Sequence, residues 1–144
     1  MKSLNPERMV VALLLCGKRF ELGASGNTWG SLGRLAYAKP GLPVDNVRIF
    51  EAGWEVRRTY RNLPSLEKAV DLTLCRVVAY KAAVRRFVAR HKLRVFLDCY
   101  IEYRVDAPLI NLSDDSIRLL AYLNGSFGLE VVKLPVIANQ RTDR

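Results

Sequence analysis

The sequence predicts an α+β fold: a mixed β-sheet with one long and one short helix packed on it, as a single-domain sandwich. Three stretches predict it. Ser65 to His91 carries an apolar stripe at helical spacing, Arg94 to Arg104 alternates with period two, and Met9 to Cys16 is an unbroken apolar run. The 144 residues suit one domain, residues 1–144, that buries its own core, with loose ends at residues 1–8 and 139–144. At 50% hydrophobic and 26% charged the balance is globular, which argues against wholesale disorder.

Taken in order, Met9 to Cys16 reads as a central strand covered on both faces. Lys2 and Arg8 ahead of an apolar run ending in cysteine resemble a lipoprotein signal. Leu15 is too large for that cleavage position, Glu7 interrupts the basic region, and no A-x-A site follows, so a buried strand is the better reading. No apolar run approaches the roughly 20 residues of a spanning helix. The expectation is a soluble, cytoplasmic protein without a membrane partner.

Gly23 to Gly41 holds five glycines with Trp29, Leu32, Leu35 and Tyr37 between them. Their spacing matches no phosphate-cradling motif. A long surface loop is expected, with a short helical turn near Ser31 to Ala38, and it remains a candidate interface. Val47 to Glu51 and Trp54 to Arg58 read as antiparallel strands joined by a turn at Ala52-Gly53. Trp54, Val56 and Arg58 share one face; Glu55, Arg57 and Thr59 share the other.

Ser65 is the expected N-cap of one long helix to His91. Leu66, Val70, Thr73, Leu74, Val77, Tyr80, Val84, Phe87 and Val88 form its apolar stripe. In the strand that follows, Val95, Leu97, Cys99, Ile101 and Tyr103 face one way, and Phe96, Asp98, Tyr100 and Glu102 the other. Ser113, followed by Asp114 and Asp115, opens a short helix whose expected apolar face is Ile117, Leu120 and Leu123. Asn124-Gly125 closes it with a left-handed cap, and Phe127 to Leu134 is the last strand. The helix between the last two strands allows them to run parallel.

Cys16, Cys75 and Cys99 are odd in number and lack metal-ligand spacing, so reduced thiols are expected, with no metal and no cofactor. His91, the only histidine, stands among Arg90, Lys92 and Arg94 with no carboxylate nearby in sequence to orient it as a base. Asp98 and Glu102 share a strand face and could serve hydrolysis or bind a cation. An exposed face neutralised by Arg94 and Arg104 is the simpler reading. No nucleophile-elbow, zinc-protease or C-x-x-C motif is present. The chain therefore reads as a binding protein rather than an enzyme.

The formal net charge of +9 favours an anionic partner. Arg57, Arg58, Tyr60 and Arg61 cluster before the long helix. Arg85, Arg86 and Arg90, with Lys81 and Lys92, line its second half. These seven residues, from Arg57 to Arg90, are the candidate partner-binding set. Basic residues interleaved with Trp54, Tyr60 and Tyr80 could also bind single-stranded nucleic acid by phosphate contacts and stacking. No RNP, KH, zinc-finger or helix-turn-helix signature accompanies them.

Pro108 to Gly125 (PLINLSDDSIRLLAYLNG), followed by a strand, resembles the C-terminal motif of a family of small bacterial α/β domains of unknown function. There a strand leads through a proline and a leucine-serine cap into a short helix, and a final strand closes the sheet. Trp54 before the central helix also resembles that family. The glycine-rich stretch and the positive charge depart from its pattern. Through that family the chain resembles immunity proteins of bacterial toxin systems, such as contact-dependent growth inhibition. The resemblance implies an antitoxin that binds one cognate toxin and blocks it; the charge of +9 would suit an acidic toxin surface or a nuclease cleft lined by carboxylates. The alternative is a basic nucleic-acid-binding module.

Overall fold

The structure, a computed structural model, describes residues 6–17, 33–36 and 52–136. Its elements are β1 (Arg8–Gly17), β2 (Arg34–Ala36), β3 (Ala52–Tyr60), α1 (Leu66–Ala79), α2 (Lys81–His91), β4 (Arg94–Tyr103), α3 (Asp114–Tyr122) and β5 (Ser126–Lys133). The strands form one five-stranded sheet in the order β2-β3-β1-β4-β5. β1 is antiparallel to both β3 and β4, β2 is antiparallel to β3, and β4 and β5 are parallel. This is the mixed sheet and α+β class that the sequence predicts.

The helices lie on one face. Met9, Val11, Leu13 and Leu15 of β1, Trp54 and Val56 of β3, and Val95, Leu97, Cys99 and Ile101 of β4 are buried there. They meet Leu66, Ala69, Val70, Leu74 and Val77 of α1, Val84 and Phe87 of α2, and Leu119, Leu120 and Leu123 around α3. Each large apolar side chain so buried stabilises the fold by about 1.5–3 kcal/mol relative to exposure. On the opposite face Ala12, Cys16 and Glu55 are also buried, so β1 is covered on both sides as its apolar run requires.

Helicity extends over the expected stretch but divides at Tyr80, whose N–H bonds the Val77 carbonyl at 3.0 Å. After Val77 the inward stripe would continue through Tyr80 and Lys81, and both are exposed. Held inward, Lys81 would bury an unpaired ammonium. The break lifts it out and lets α2 bury Val84 and Phe87.

α3 is capped by Ser113, whose Oγ accepts from the Ser116 N–H at 3.2 Å. Its inward face is Ser116, Leu119 and Leu120, continuing to Leu123, whereas Ile117 is 50% exposed, a correction to the expected face. Asp71 of α1 sets that rotation by accepting hydrogen bonds from Ser113 Oγ at 2.6 Å and Ser116 Oγ at 2.9 Å. Asn124 takes the left-handed cap conformation (φ 54°), and Gly125 N–H bonds the Leu120 carbonyl.

Three further expectations are corrected. Ala52 and Gly53 begin β3 rather than turning the chain; a Cβ on Gly53 would come within 2.8 Å of the Leu15 carbonyl, so glycine serves close strand packing there. Within the expected loop, Arg34 to Ala36 is an edge strand on β3 instead of a helical turn, too short to show a period. The lead-in is held from Pro6, which is buried, through Glu7, whose N–H bonds the Glu102 carbonyl, to Arg8 in β1. The strand expected at Val47 to Glu51, most of Gly23 to Gly41 and residues 139–144 lie outside the described residues.

Candidate binding surface

The seven candidate residues occupy three places. Arg57 projects from the sheet face opposite the helices, where its Nη2 lies 3.2 Å from the Glu55 carboxylate. Glu55 is buried there, so this arginine serves a local ion pair. Arg58 and Arg61 are exposed where β3 leads into α1. Tyr60, between them, packs on the core and bonds Thr73 Oγ1 of α1 at 2.9 Å. Thr73 donates its own proton to the Ala69 carbonyl, so the tyrosine hydroxyl is the donor. Tyr60 thus joins strand to helix. Trp54 is fully buried. Neither ring is presented for stacking on a base.

Arg85, Arg86 and Arg90 lie together on α2 with Lys81 and Lys92, all exposed. In the chain, α1, 14 residues and about 20 Å long, separates them from Arg58 and Arg61. Val84 and Phe87 anchor α2 to the core, which turns the cations outward. Among the described residues no carboxylate lies within ion-pair distance of these five side chains. Lys81 and Arg85, and Arg86 and Arg90, are four residues apart. Like charges at that spacing destabilise a helix by about 0.2–0.5 kcal/mol per pair. α2 contains no acidic residue.

Tyr122 of α3 completes the surface. The Arg85 guanidinium lies 4.5 Å from its ring centroid and the Lys81 ammonium 5.5 Å. These contacts hold two long side chains against a fixed ring, which lowers the entropy cost of using them at an interface. No spacing in the sequence links Tyr122 to α2; only the packing of α3 beside the helical layer brings them together.

Asp98 and Glu102, the two carboxylates that share a face of β4, lie on the opposite side of the sheet. Glu102 receives two bonds from Arg8, at 3.1 and 2.7 Å, and one from the Tyr100 hydroxyl at 2.9 Å. The Arg8 hydrogen bond, then that of Tyr100, holds its carboxyl below the usual range, which suits a fixed anion better than a proton donor. Asp98 lies beside a shallow cavity of about 260 Å³ also lined by Arg57, Tyr100 and Glu130. Among the described residues no three His, Cys, Asp or Glu side chains are grouped to hold a metal ion. His91 sits in the last turn of α2 with its ring 4.4 Å from that of Phe87. No helix among the described residues is long and apolar enough to cross a membrane.

Compared with protein-family models, curated proteins and solved structures, the chain has no match.

Proposed function

We propose that the chain is a non-catalytic cytoplasmic binding protein whose α2 surface docks on an acidic protein, and that it acts as an immunity protein occluding a cognate bacterial toxin. The observation that supports this reading is the group Lys81, Arg85, Arg86, Arg90 and Lys92, exposed and without carboxylate partners among the described residues. Cations kept apart from counter-charges, at some cost to the helix, are available to a partner's carboxylates. Arg85 and Tyr122 make a natural centre, since arginine and tyrosine are enriched among residues that dominate binding energy. Arg58 and Arg61 form a second, separate basic group.

The resemblance of Pro108 to Gly125 to small bacterial domains, and through them to immunity proteins, points the same way. Occlusion needs a rigid, complementary surface and no catalytic set. Binding of nucleic acid through phosphates alone is the second reading, since the same cations would serve it. Two arms separate them. Growth arrested by a candidate toxin, chosen from the genes flanking this one, should be restored by co-expression of the parent and not of the Arg85→Glu/Arg86→Glu/Arg90→Glu variant. Titration of labelled single-stranded RNA and DNA should give only weak, salt-sensitive binding. Tight nucleic-acid binding, or failure of the parent to restore growth, would overturn the immunity reading; rescue that survives the triple reversal would remove α2 from the interface.

A further inference from the structure

We propose that β5 is a self-association edge: two copies of the chain pair antiparallel along β5, about a two-fold axis at Leu129, and join their sheets into one. β5 is the last strand of the sheet and runs eight residues, against three for β2 at the other edge. The Leu134 N–H donates to the Tyr103 carbonyl at 2.7 Å. Hydrogen-bonding direction alternates along a parallel strand, so even-numbered residues address β4. The N–H and C=O groups of Phe127, Leu129, Val131 and Lys133 therefore point away from it. Among the described residues no strand meets them.

Natural sheets blunt such edges by shortness, charge or proline. β2 is blunted by its length. In β5 the proline comes only after the strand, at Pro135, and three of the four outward-bonding residues are apolar. Phe127 and Val131 are 41% and 39% exposed on the helix side of the sheet.

The occupant follows from the register. Outward-bonding residues must meet outward-bonding residues, and in a two-fold pair each matched set exchanges two hydrogen bonds. Centred on Leu129, Phe127 meets Val131 of the second copy and Leu129 meets its own copy. An apolar row then crosses the junction without a break. On the other face Glu130 meets Gly128, which leaves the carboxylate in water. Centred on Glu130, the two carboxylates would face each other directly, which is destabilising. Centred on Val131, Lys133 would face Leu129. Centred on Gly128, Val131 would face Gly125 and only Phe127 and Leu129 would meet, so the Leu129-centred register gives the longest apolar row of the four. Pairing along one edge buries less than a standard interface, so the dimer is weak and concentration-dependent.

Sedimentation velocity over a wide concentration range tests it. The parent should pass from one chain's mass to two. Val131→Pro removes an outward donor without touching the β4 ladder, and Phe127→Lys places a charge in the apolar row. Both should remain monomeric with a native circular dichroism spectrum. Because they act through different atoms, loss of fold in one leaves the other to decide. A parent that stays monomeric throughout, or a dimer that a folded variant leaves intact, overturns the proposal. Glu130→Gln should leave the dimer unchanged; tightening by about 10-fold, or 1.4 kcal/mol, would overturn the Leu129-centred register.

Discussion

Arg8, at the start of β1, grips Glu102, near the end of β4, with two guanidinium nitrogens at 3.1 and 2.7 Å from separate carboxylate oxygens. The pair ties the central strand to its neighbour at the edge of the apolar run. Because the Glu102 carboxyl is held below its usual range, its contribution is present above the unfolded value, near pH 4.3, and is lost as pH falls through the folded value. Glu102→Gln should lower the thermal transition at pH 7. Parent and variant should converge as pH falls through the lowered folded value, where the parent's carboxylate protonates. Thermal melts between pH 7 and pH 2.5 check this; a gap that stays constant would contradict it.

Leu119 is 4% exposed and Ile117 50%. Leu119→Ala should cost about 2–5 kcal/mol, and Ile117→Ala less than about 1. Urea denaturation of the two variants measures the difference. Equal losses would mean that α3 presents another face to the sheet.

Tyr60 donates to Thr73, which is itself buried. Tyr60→Phe should cost about 1 kcal/mol of stability, because Thr73 keeps its bond to Ala69. It should leave partner binding untouched. Weaker binding with unchanged stability would return Tyr60 to the interface.

The Cys16 and Cys99 side chains are buried and that of Cys75 is exposed. Burial, followed by the nearby Asp98 charge, pushes the Cys99 thiol up to about 12, so it stays protonated at ordinary pH. A colourless thiol reagent with a chromogenic leaving group should find one fast thiol, Cys75, in the native protein at pH 8 and three in denaturant. Cys75→Ser should abolish the fast phase. Rapid reaction of Cys99 in the native state would contradict its place under the helices.

How far residues alone reach depends on the length of the pattern. β1 and β4 were legible because an apolar run and a ten-residue alternation leave one arrangement that buries them. The division at Tyr80 was not, since neither glycine nor proline marks it and Tyr80 itself fits the apolar stripe that the structure leaves exposed there. α3 is nine residues long, and its few apolar positions fit two faces. The Asp71 bonds to Ser113 and Ser116 choose between them, and no local pattern contains a contact that distant. In the candidate surface, the cations of α2 were plain in the sequence. Alternation along β3 already set Arg57 and Arg58 on different faces, although nearness in sequence suggested one cluster. Tyr122 needed the packed helices to be seen beside Arg85.

The proposed engagement of an acidic partner runs through α2. The most direct measure is calorimetric titration of a purified toxin, one whose growth arrest the parent relieves, into the parent and into Arg85→Glu/Arg86→Glu/Arg90→Glu, at low and high salt. The triple variant should keep the parent's thermal transition, because exposed charges contribute at most about 1 kcal/mol each. It should bind on the order of 100-fold more weakly, and salt should weaken the parent in the same direction. A folded triple variant that binds as tightly as the parent would contradict the account.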